Sequence, residues 1–361
     1  MAPLATVLTK GAKRAAYSAA QAARVLWFTG HYAAGRRVMG PLTSPGEAPY
    51  AEEFSPLDRE RLKQAFRSLF KADWRNIERG EYKMPIELRR PPSVAKLMRL
   101  SRDYLIDAEK VARRKHGRGH SEVLTEEMRA KYPRYYLQNF HYQTDGWFSD
   151  ASADRYDMQV ETLFTGAAAP MRRQALPFVR AAIAGRDPAS LSLLDLGCGT
   201  GRFLTDIKDN WPGLNITALD LSPAYLGKAR ASLGGERTIR FFEGKAEATG
   251  LPDQSFDMIS AVYLFHELPP AVRADVAKEA ARLLKPGGTF IEVDTIQYGD
   301  EPGLDVLLEN FPRGFHEPYY DSYCREDLAA LFGAAGFVRT GEALAFLTKV
   351  SAFQMPAAEL S

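Results

Sequence analysis

A glycine-rich loop is the segment of this sequence best suited to chemistry. Residues 195–201 read Asp-Leu-Gly-Cys-Gly-Thr-Gly, directly after an apolar run and directly before a predicted helix. Glycine lets a backbone turn sharply and approach a ligand closely, and doubly wound sheets bind ligands at the carboxyl ends of their strands. A dinucleotide fingerprint needs its third glycine at position 202, which is Arg202 here. The spacing therefore disfavours an NAD(P) dehydrogenase.

A second acid, Asp220, ends the next predicted strand. A carboxylate at this position can accept hydrogen bonds from both hydroxyls of a ribose, as it does in dinucleotide sites. The alternative is a capping role ahead of the helix that begins at Pro223. Asp220 alone does not separate one nucleoside cofactor from another.

Strands alternate with helices after Leu191, and this alternation predicts a parallel sheet. The predicted strands are 192–196, 215–219, 239–243, 256–262 and 289–294, followed by two more near Phe337 and at 345–353. The predicted helices are 202–209, 223–233, 271–284 and 325–335. Pro286-Gly287-Gly288 is interpreted as the stop and turn before the fifth strand.

The first 150 residues have a different character. Residues 1–46 carry six Lys and Arg side chains and no acid before Glu47. This basic segment fits an amphipathic helix on an anionic membrane surface, an organelle transit peptide, or a helix that packs on the protein. Residues 41–50 resemble a linker, and 47–150 are predicted to be a helical region or lid, with one helix starting after Ser55 and another over 93–114. The remainder, 151–361, is the predicted catalytic domain.

Composition places the chain among ordinary globular proteins. Its 361 residues are 45% hydrophobic and 25% charged, and its net charge of +2 gives no strong field toward nucleic acid. Two cysteines are too few for a disulfide framework or a thiolate metal site. We predict no metal, no nucleic-acid partner and a cytoplasmic location, with membrane association or organelle import as alternatives. The oligomeric state is not predicted.

Several motifs in order resemble the class I S-adenosylmethionine (SAM) dependent methyltransferases, most closely the quinone and sterol C-methyltransferases. The matching stretches are LLDLGCGTGRF, ALDLSPAYLGKAR, GLPDQSFDMIS, EAARLLKPGGTFIEVD and REDLAALFGAAGF. They cover roughly residues 150–354. The resemblance implies a seven-stranded, Rossmann-like α/β sheet whose last strand is antiparallel, joined here to an α-helical N-terminal region, and it implies SAM as the cofactor.

The resemblance also assigns residues. It implies that Asp195 and the loop from Gly197 to Gly201 lie near the methionine part of SAM, that Asp220 binds the ribose, and that Tyr156 closes over the cofactor. The full set of expected cofactor residues is Tyr156, Asp195, Gly197, Cys198, Gly199, Gly201, Asp220, Leu221, Ala246 and Glu247.

One position departs from the family pattern. The third strand usually leads into Gly-Asp-Ala-Glu, whose Asp side binds adenine, but this chain has Gly244-Lys245-Ala246-Glu247. A lysine ammonium cannot accept a hydrogen bond from the adenine amino group. Either Glu247 or the backbone around Ala246 is expected to take this role.

Methyl transfer from a sulfonium needs alignment and exclusion of water more than it needs a catalytic acid. A base is required only where the nucleophile must lose a proton. His266, after the fourth strand, is the candidate base because an unperturbed imidazole titrates near neutral pH, although it could also simply hold its loop. Tyr298, in the insertion 295–324, is the candidate substrate contact.

Two aromatic segments, 132–148 and 295–324, are expected to roof the active site. Apolar pockets often lie between domains, so the predicted acceptor is small and lipophilic or aromatic, methylated on carbon or oxygen. The alternative for 132–148 is an ordinary core or domain junction. The alternative function is a non-catalytic, SAM-binding assembly or regulatory module.

Overall fold

The computed structural model describes residues 10–39, 55–117, 119 and 121–357. The predicted linker at 41–50 lies outside these residues. No helix in the described ranges is both long and apolar enough to cross a membrane.

The described strands form one seven-stranded sheet with the order β3-β2-β1-β4-β5-β7-β6. All neighbouring pairs from β3 to β5 are parallel, and β7 is antiparallel to both β5 and β6. The predicted seven-stranded α/β sheet with an antiparallel last strand is therefore confirmed. The strands are β1 (Ser192–Leu196), β2 (Asn215–Asp220), β3 (Ile239–Glu243), β4 (Phe256–Val262), β5 (Leu284–Thr295), β6 (Val338–Ala345) and β7 (Thr348–Gln354).

Helices cover both faces of the sheet and build the N-terminal region. In the N-terminal region they are α1 (Lys10–Met39), α2 (Pro56–Arg79), α3 (Ile86–Arg89), α4 (Val94–Gly117) and α5 (Glu126–Lys131). The following ones are α6 (Asp150–Leu163), α7 (Ala168–Arg173), α8 (Leu176–Ile183), α9 (Arg202–Asn210), α10 (Pro223–Leu233), α11 (Pro270–Leu283), α12 (Asp305–Gly314), α13 (Tyr320–Cys324) and α14 (Leu328–Ala334). The predicted helical N-terminal region is thus present, while the domain boundaries stay a prediction.

Alternating residues of the central strands build two separate cores. Leu193 and Met258 belong to the core on one face of the sheet, whereas Leu194 and Ile259 belong to the core on the other. Successive side chains of a strand point to opposite faces, and a parallel sheet with helices on both sides buries both sets. Because both faces are buried, the central strands appear in the sequence as short continuous apolar runs, and their positions could be predicted.

Several boundaries differ from the sequence prediction by a few residues, and two of these differences have a clear local cause. β5 begins at Leu284 rather than 289, because pairing with β4 starts at Phe256 and shifts register before Met258. Gly287, with φ of 73°, therefore belongs to an irregularity within β5 rather than to a turn before it. The last helix begins at Leu328 rather than 325, because the Asp327 side chain caps it by accepting a hydrogen bond from the Ala330 amide.

A buried charge cluster connects α1 and α2 to α7. The Asp73 carboxylate of α2 accepts hydrogen bonds from the Tyr17 hydroxyl of α1 at 2.6 Å and from Arg173 of α7 at 2.8 and 2.9 Å. Breaking a buried pair of this kind typically costs about 3–5 kcal/mol. α1 therefore packs on the protein, as one of the three alternatives proposed, and contact of the basic segment with a membrane stays a prediction.

Candidate cofactor and acceptor site

The glycine loop joins β1 to α9, and its glycines serve different purposes. Gly197, Gly199 and Gly201 all have positive φ, of 67°, 55° and 77°. A Cβ added to Gly201 would lie 2.9 Å from the Leu233 side chain, whereas a Cβ added to Gly199 would meet nothing within 4 Å. Gly201 therefore lets α9 and α10 pack closely, while Gly199 borders open space.

Asp220 holds this loop from the end of β2. Its carboxylate accepts hydrogen bonds from the amides of Gly199 and Ser222, each at 2.8 Å. Burial raises the pKa of Asp220 to about 6, against the lowering effect of these amides. The cap of α10 is the Ser222 hydroxyl, which accepts from the Tyr225 amide, so the capping alternative for Asp220 is not the one observed.

One cavity collects most of the predicted cofactor residues. It is lined by Tyr156, Gly197, Gly199, Asp220, Leu221, Ala246 and Glu247. Aromatic side chains of 132–148, a segment predicted to roof the active site, close this cavity. They are Tyr135, Tyr136, Phe140 and Trp147. The open space at Gly199 and the acceptor oxygens of Asp220 and Glu247 fit a ligand that carries a ribose and an adenine.

Asp195, Cys198 and Gly201 lie behind this cavity rather than in its wall. Asp195 is buried, its carboxylate accepts a hydrogen bond from the Ser260 hydroxyl at 2.6 Å, and burial raises its pKa to about 7. The Cys198 amide donates to the Leu219 carbonyl at 2.9 Å and so fastens the loop to β2. In this structure the three residues shape the loop.

Glu247 supplies a hydrogen-bond acceptor close to Lys245, the position at which the family pattern has an aspartate. One carboxylate oxygen, Oε1, accepts a hydrogen bond from the Tyr135 hydroxyl at 2.7 Å. The other, Oε2, is buried and has no hydrogen-bond partner among the described residues. A buried acceptor without a partner is costly, so Oε2 is well suited to an amino group of a ligand in this cavity.

His266 lies in a 3-10 turn after β4, but its environment differs from the one expected. Its Nδ1 lies 2.5 Å from Asp294 Oδ1. Burial alone would lower the pKa of His266, but the carboxylates of Asp294 and Glu267 raise it to about 10. A general base must be unprotonated at the working pH. The prediction that His266 titrates near neutral pH is therefore wrong in this environment, which does not favour His266 as the general base.

Tyr298 borders neither the cofactor cavity nor the apolar cavity beside it that contains Phe311 and Phe315. Its hydroxyl donates to Asp321 at 3.0 Å, and the Arg325 guanidinium lies 4.7 Å from the centre of its ring. The predicted substrate contact at Tyr298 is therefore not met. The segment 295–324 folds into α12 and α13, and this path turns Phe311, Phe315 and Tyr320 inward instead.

A second cavity of about 450 Å³ adjoins the first. The two share Tyr156, Tyr263 and Glu267. Most of the other side chains in its wall are apolar or aromatic, including Leu62, Val160, Leu163, Phe164, Leu307, Leu308, Phe311, Phe315, Phe346 and Leu347. His141 and His266 are among the polar groups.

Comparison with known proteins identifies a methyltransferase domain in the middle of the chain. Residues 193–288 match the family model described as a methyltransferase domain. A ubiquinone/menaquinone biosynthesis C-methyltransferase of Methylobacterium nodulans is 35% identical over 122 residues, covering 33% of this chain and 47% of the relative. A 2-methyl-6-phytyl-1,4-hydroquinone methyltransferase of Synechocystis is 32% identical, covering 41% and 45%. A malonyl-[acyl-carrier protein] O-methyltransferase of Paenibacillus is 31% identical, covering 37% and 57%.

The chain spans about half the length of the curated relatives it matches. The matched part contains β1 to β4, the glycine loop and Asp220. The order of the sheet, the loop geometry and these relatives agree with one another. Residues 193–288 therefore belong to a SAM-dependent methyltransferase domain, which implies SAM as its cofactor, and the relatives named above are similar to this part of the chain.

Proposed function

We propose that this protein transfers the methyl group of SAM to a small lipophilic acceptor bound in the second cavity. The observation that carries the proposal is the cavity of about 450 Å³ with a mostly apolar wall that shares Tyr156, Tyr263 and Glu267 with the cofactor cavity. Ligand pockets of enzymes are of this size and character.

The relatives narrow the acceptor class. Two of those named above carry the names of C-methyltransferases or hydroquinone methyltransferases, and one carries that of an O-methyltransferase acting on an acyl-carrier protein. An aromatic wall suits a planar quinol ring, because aromatic pairs add attraction beyond the area they bury. We therefore favour a quinol or a similar aromatic alcohol over a carrier-bound acyl group.

The residues of the chain have separable tasks in this proposal. SAM supplies a sulfonium methyl group that moves to the acceptor by in-line displacement. Gly199, Asp220 and Glu247 position the cofactor, while Tyr156 and Tyr263 lie between the cavities and exclude water. Holding two reactants in line can supply about 7–11 kcal/mol toward the barrier, so this arrangement does not depend on a strong base.

The experiment uses the purified full chain with methyl-labelled SAM and a cell extract, separated afterwards into organic, aqueous and precipitable fractions. We expect label in the organic fraction, and at least about tenfold less label when a Gly199→Ala variant replaces the wild type at limiting SAM. Label confined to the aqueous or precipitable fraction would overturn the acceptor class. SAM binding without label in any fraction would favour the non-catalytic module.

A further inference from the structure

Three segments that are distant in sequence place a histidine and two carboxylates together where the two cavities meet. His141 comes from the aromatic segment, Glu267 from the turn after β4, and Glu317 from the loop between α12 and α13. One ligand atom from each lies within 4.8 Å of the other two. His141 and Glu267 are in the wall of the acceptor cavity, and Glu267 also borders the cofactor cavity.

The carboxylates are buried and poorly satisfied. Glu317 is only 5% exposed, and its Oε2 has no hydrogen-bond partner among the described residues. Oε2 of Glu267 is also buried and has no hydrogen-bond partner among the described residues. Two buried carboxylates so close together are costly unless a proton or a cation compensates their charge. The His141 imidazole can offset at most one of the two charges.

The spacing fits coordination of a metal ion. His141 Nε2 lies 2.9 Å from Glu317 Oε1 and 3.8 Å from Glu267 Oε1. With metal–nitrogen and metal–oxygen bonds of about 2.0–2.2 Å, ligands in one shell lie roughly 3–4 Å apart. A second histidine is also near, since His266 Nε2 lies 3.6 Å from Glu267 Oε1. Its Nδ1 is hydrogen-bonded to Asp294. Histidines that bind metals are commonly held in this way by a second carboxylate.

We propose that His141, Glu267 and Glu317 bind one divalent transition-metal ion at the junction of the two cavities. Imidazole and carboxylate together suit ions such as Zn²⁺ or Mn²⁺ better than a site made only of oxygen ligands would. Two carboxylates and a divalent cation give a neutral site, which removes the electrostatic cost of the buried acids. No metal was predicted from the sequence, because two cysteines are too few for a thiolate site.

Three protein ligands leave positions open toward the acceptor cavity. Resting on the proposed function, the ion binds a hydroxyl oxygen of the acceptor and lowers its pKa, as a metal does for bound water. The hydroxyl proton would leave to solvent. The methyl group would then bond either to that oxygen or to a neighbouring ring carbon, which afterwards loses its own hydrogen as a proton, while the bond from methyl to sulfur breaks and leaves a neutral thioether. This role explains how the site could work without a free base.

The test measures metal binding directly, in the absence of SAM and of any acceptor. Full-length protein is treated with a chelator, dialysed and titrated with Zn²⁺ and, separately, Mn²⁺ by calorimetry, and bound metal is counted by elemental analysis. We expect one ion per chain for at least one of the two metals. Because loss of methyl transfer has no bearing on this readout, the metal proposal and the proposed function can fail independently.

Matched variants locate the site. Glu317→Gln and His141→Gln should each raise the Kd at least about tenfold, whereas Glu309→Gln, an exposed acid on α12, should leave it unchanged. The metal should raise the Tm of the wild type but not that of Glu317→Gln. A cooperative melting transition of Glu317→Gln without metal shows that this variant is folded. Absence of stoichiometric binding by the wild type, or an equal Kd in Glu317→Gln and His141→Gln, would overturn the proposal.

Discussion

The carboxylate of Asp220 accepts a hydrogen bond from the Gly199 amide at 2.8 Å, so the end of β2 fixes the middle of the glycine loop. The same carboxylate also accepts from Ser222. The cofactor cavity therefore depends on one acid that organises two loops, and this acid borders the cavity itself.

Replacing Asp220 with asparagine should weaken the site even though the side chain keeps its size. Both carboxylate oxygens accept amide hydrogens, and an asparagine amide nitrogen cannot do so. An unsatisfied buried donor costs about 1–3 kcal/mol, so we expect SAM affinity to fall roughly tenfold with a lower Tm. Calorimetric titration checks this, with the exposed Asp275→Asn as the control. Unchanged affinity would mean that Asp220 is not part of the cofactor site.

Gly199→Ala separates backbone strain from cavity filling. Gly199 and Gly250 both have positive φ, of 55° and 69°, and a Cβ on either meets nothing within 4 Å. Each alanine should cost about 1–2 kcal/mol of stability through the same conformational strain. Only Gly199 borders the cofactor cavity, so only its variant should lose SAM binding, by about tenfold or more. Equal SAM binding by the two variants would contradict the placement of the cofactor.

We expect Glu247 to accept a hydrogen bond from the amino group of adenine, because Lys245 occupies the position of the aspartate that has this role in the family pattern. S-adenosylhomocysteine offers that amino group, whereas S-inosylhomocysteine offers a carbonyl oxygen. We expect the wild type to prefer the adenosyl ligand about tenfold or more, because a carbonyl would leave Glu247 Oε2 unpaired. Glu247→Gln should reduce this preference, and Glu243→Gln, an exposed acid on β3, should keep it. No preference in the wild type would assign adenine recognition elsewhere.

Asp195 should make the free protein less stable at high pH. Burial raises its pKa to about 7, against about 3.9 in the unfolded chain. The protonated acid is thus favoured in the fold, and this contribution is lost as the pH rises from 3.9 through 7. Asp195→Asn keeps the acceptor for Ser260 without the charge. It should therefore be more stable than the wild type at pH 8, and by less at pH 5, in denaturant titrations.

Asp257, on the neighbouring strand β4, should have the opposite effect on how stability depends on pH. Burial alone would raise its pKa, but hydrogen bonds from Lys285 and Ser192 lower it below the ordinary value. A lowered pKa stabilises the fold at pH values above the unfolded pKa. Asp257→Asn should therefore destabilise the protein at pH 8, where Asp195→Asn stabilises it. The same sign for both variants would contradict the two environments described here.

Local sequence patterns were sufficient to predict the strands and loops that position the cofactor site. The glycine loop, Asp220 and the first four strands are specified by residues close together in sequence, and the structure places them as expected. Tyr298 and His266 were misjudged for a different reason. The path of 295–324 and the Asp294 carboxylate beside His266 are tertiary features, and one sequence does not specify them. The cluster of His141, Glu267 and Glu317 joins three distant segments, so no spacing along the chain could indicate it.

The acceptor cavity is tested most directly by filling it. Leu163, at the end of α6, lies in the wall of that cavity and not in the wall of the cofactor cavity. Leu163→Trp is compared with Leu57→Trp, at an exposed position on α2. Each is assayed for methyl transfer from labelled SAM to a demethylated quinol, and its SAM affinity is measured by calorimetry.

We expect Leu163→Trp to bind SAM like the wild type but to lose transfer about tenfold or more, because an occupied pocket cannot align the acceptor with the methyl group. Leu57→Trp should transfer at the wild-type rate. Transfer to the quinol by Leu163→Trp at the wild-type rate would show that the acceptor binds elsewhere and would contradict the assignment of this cavity.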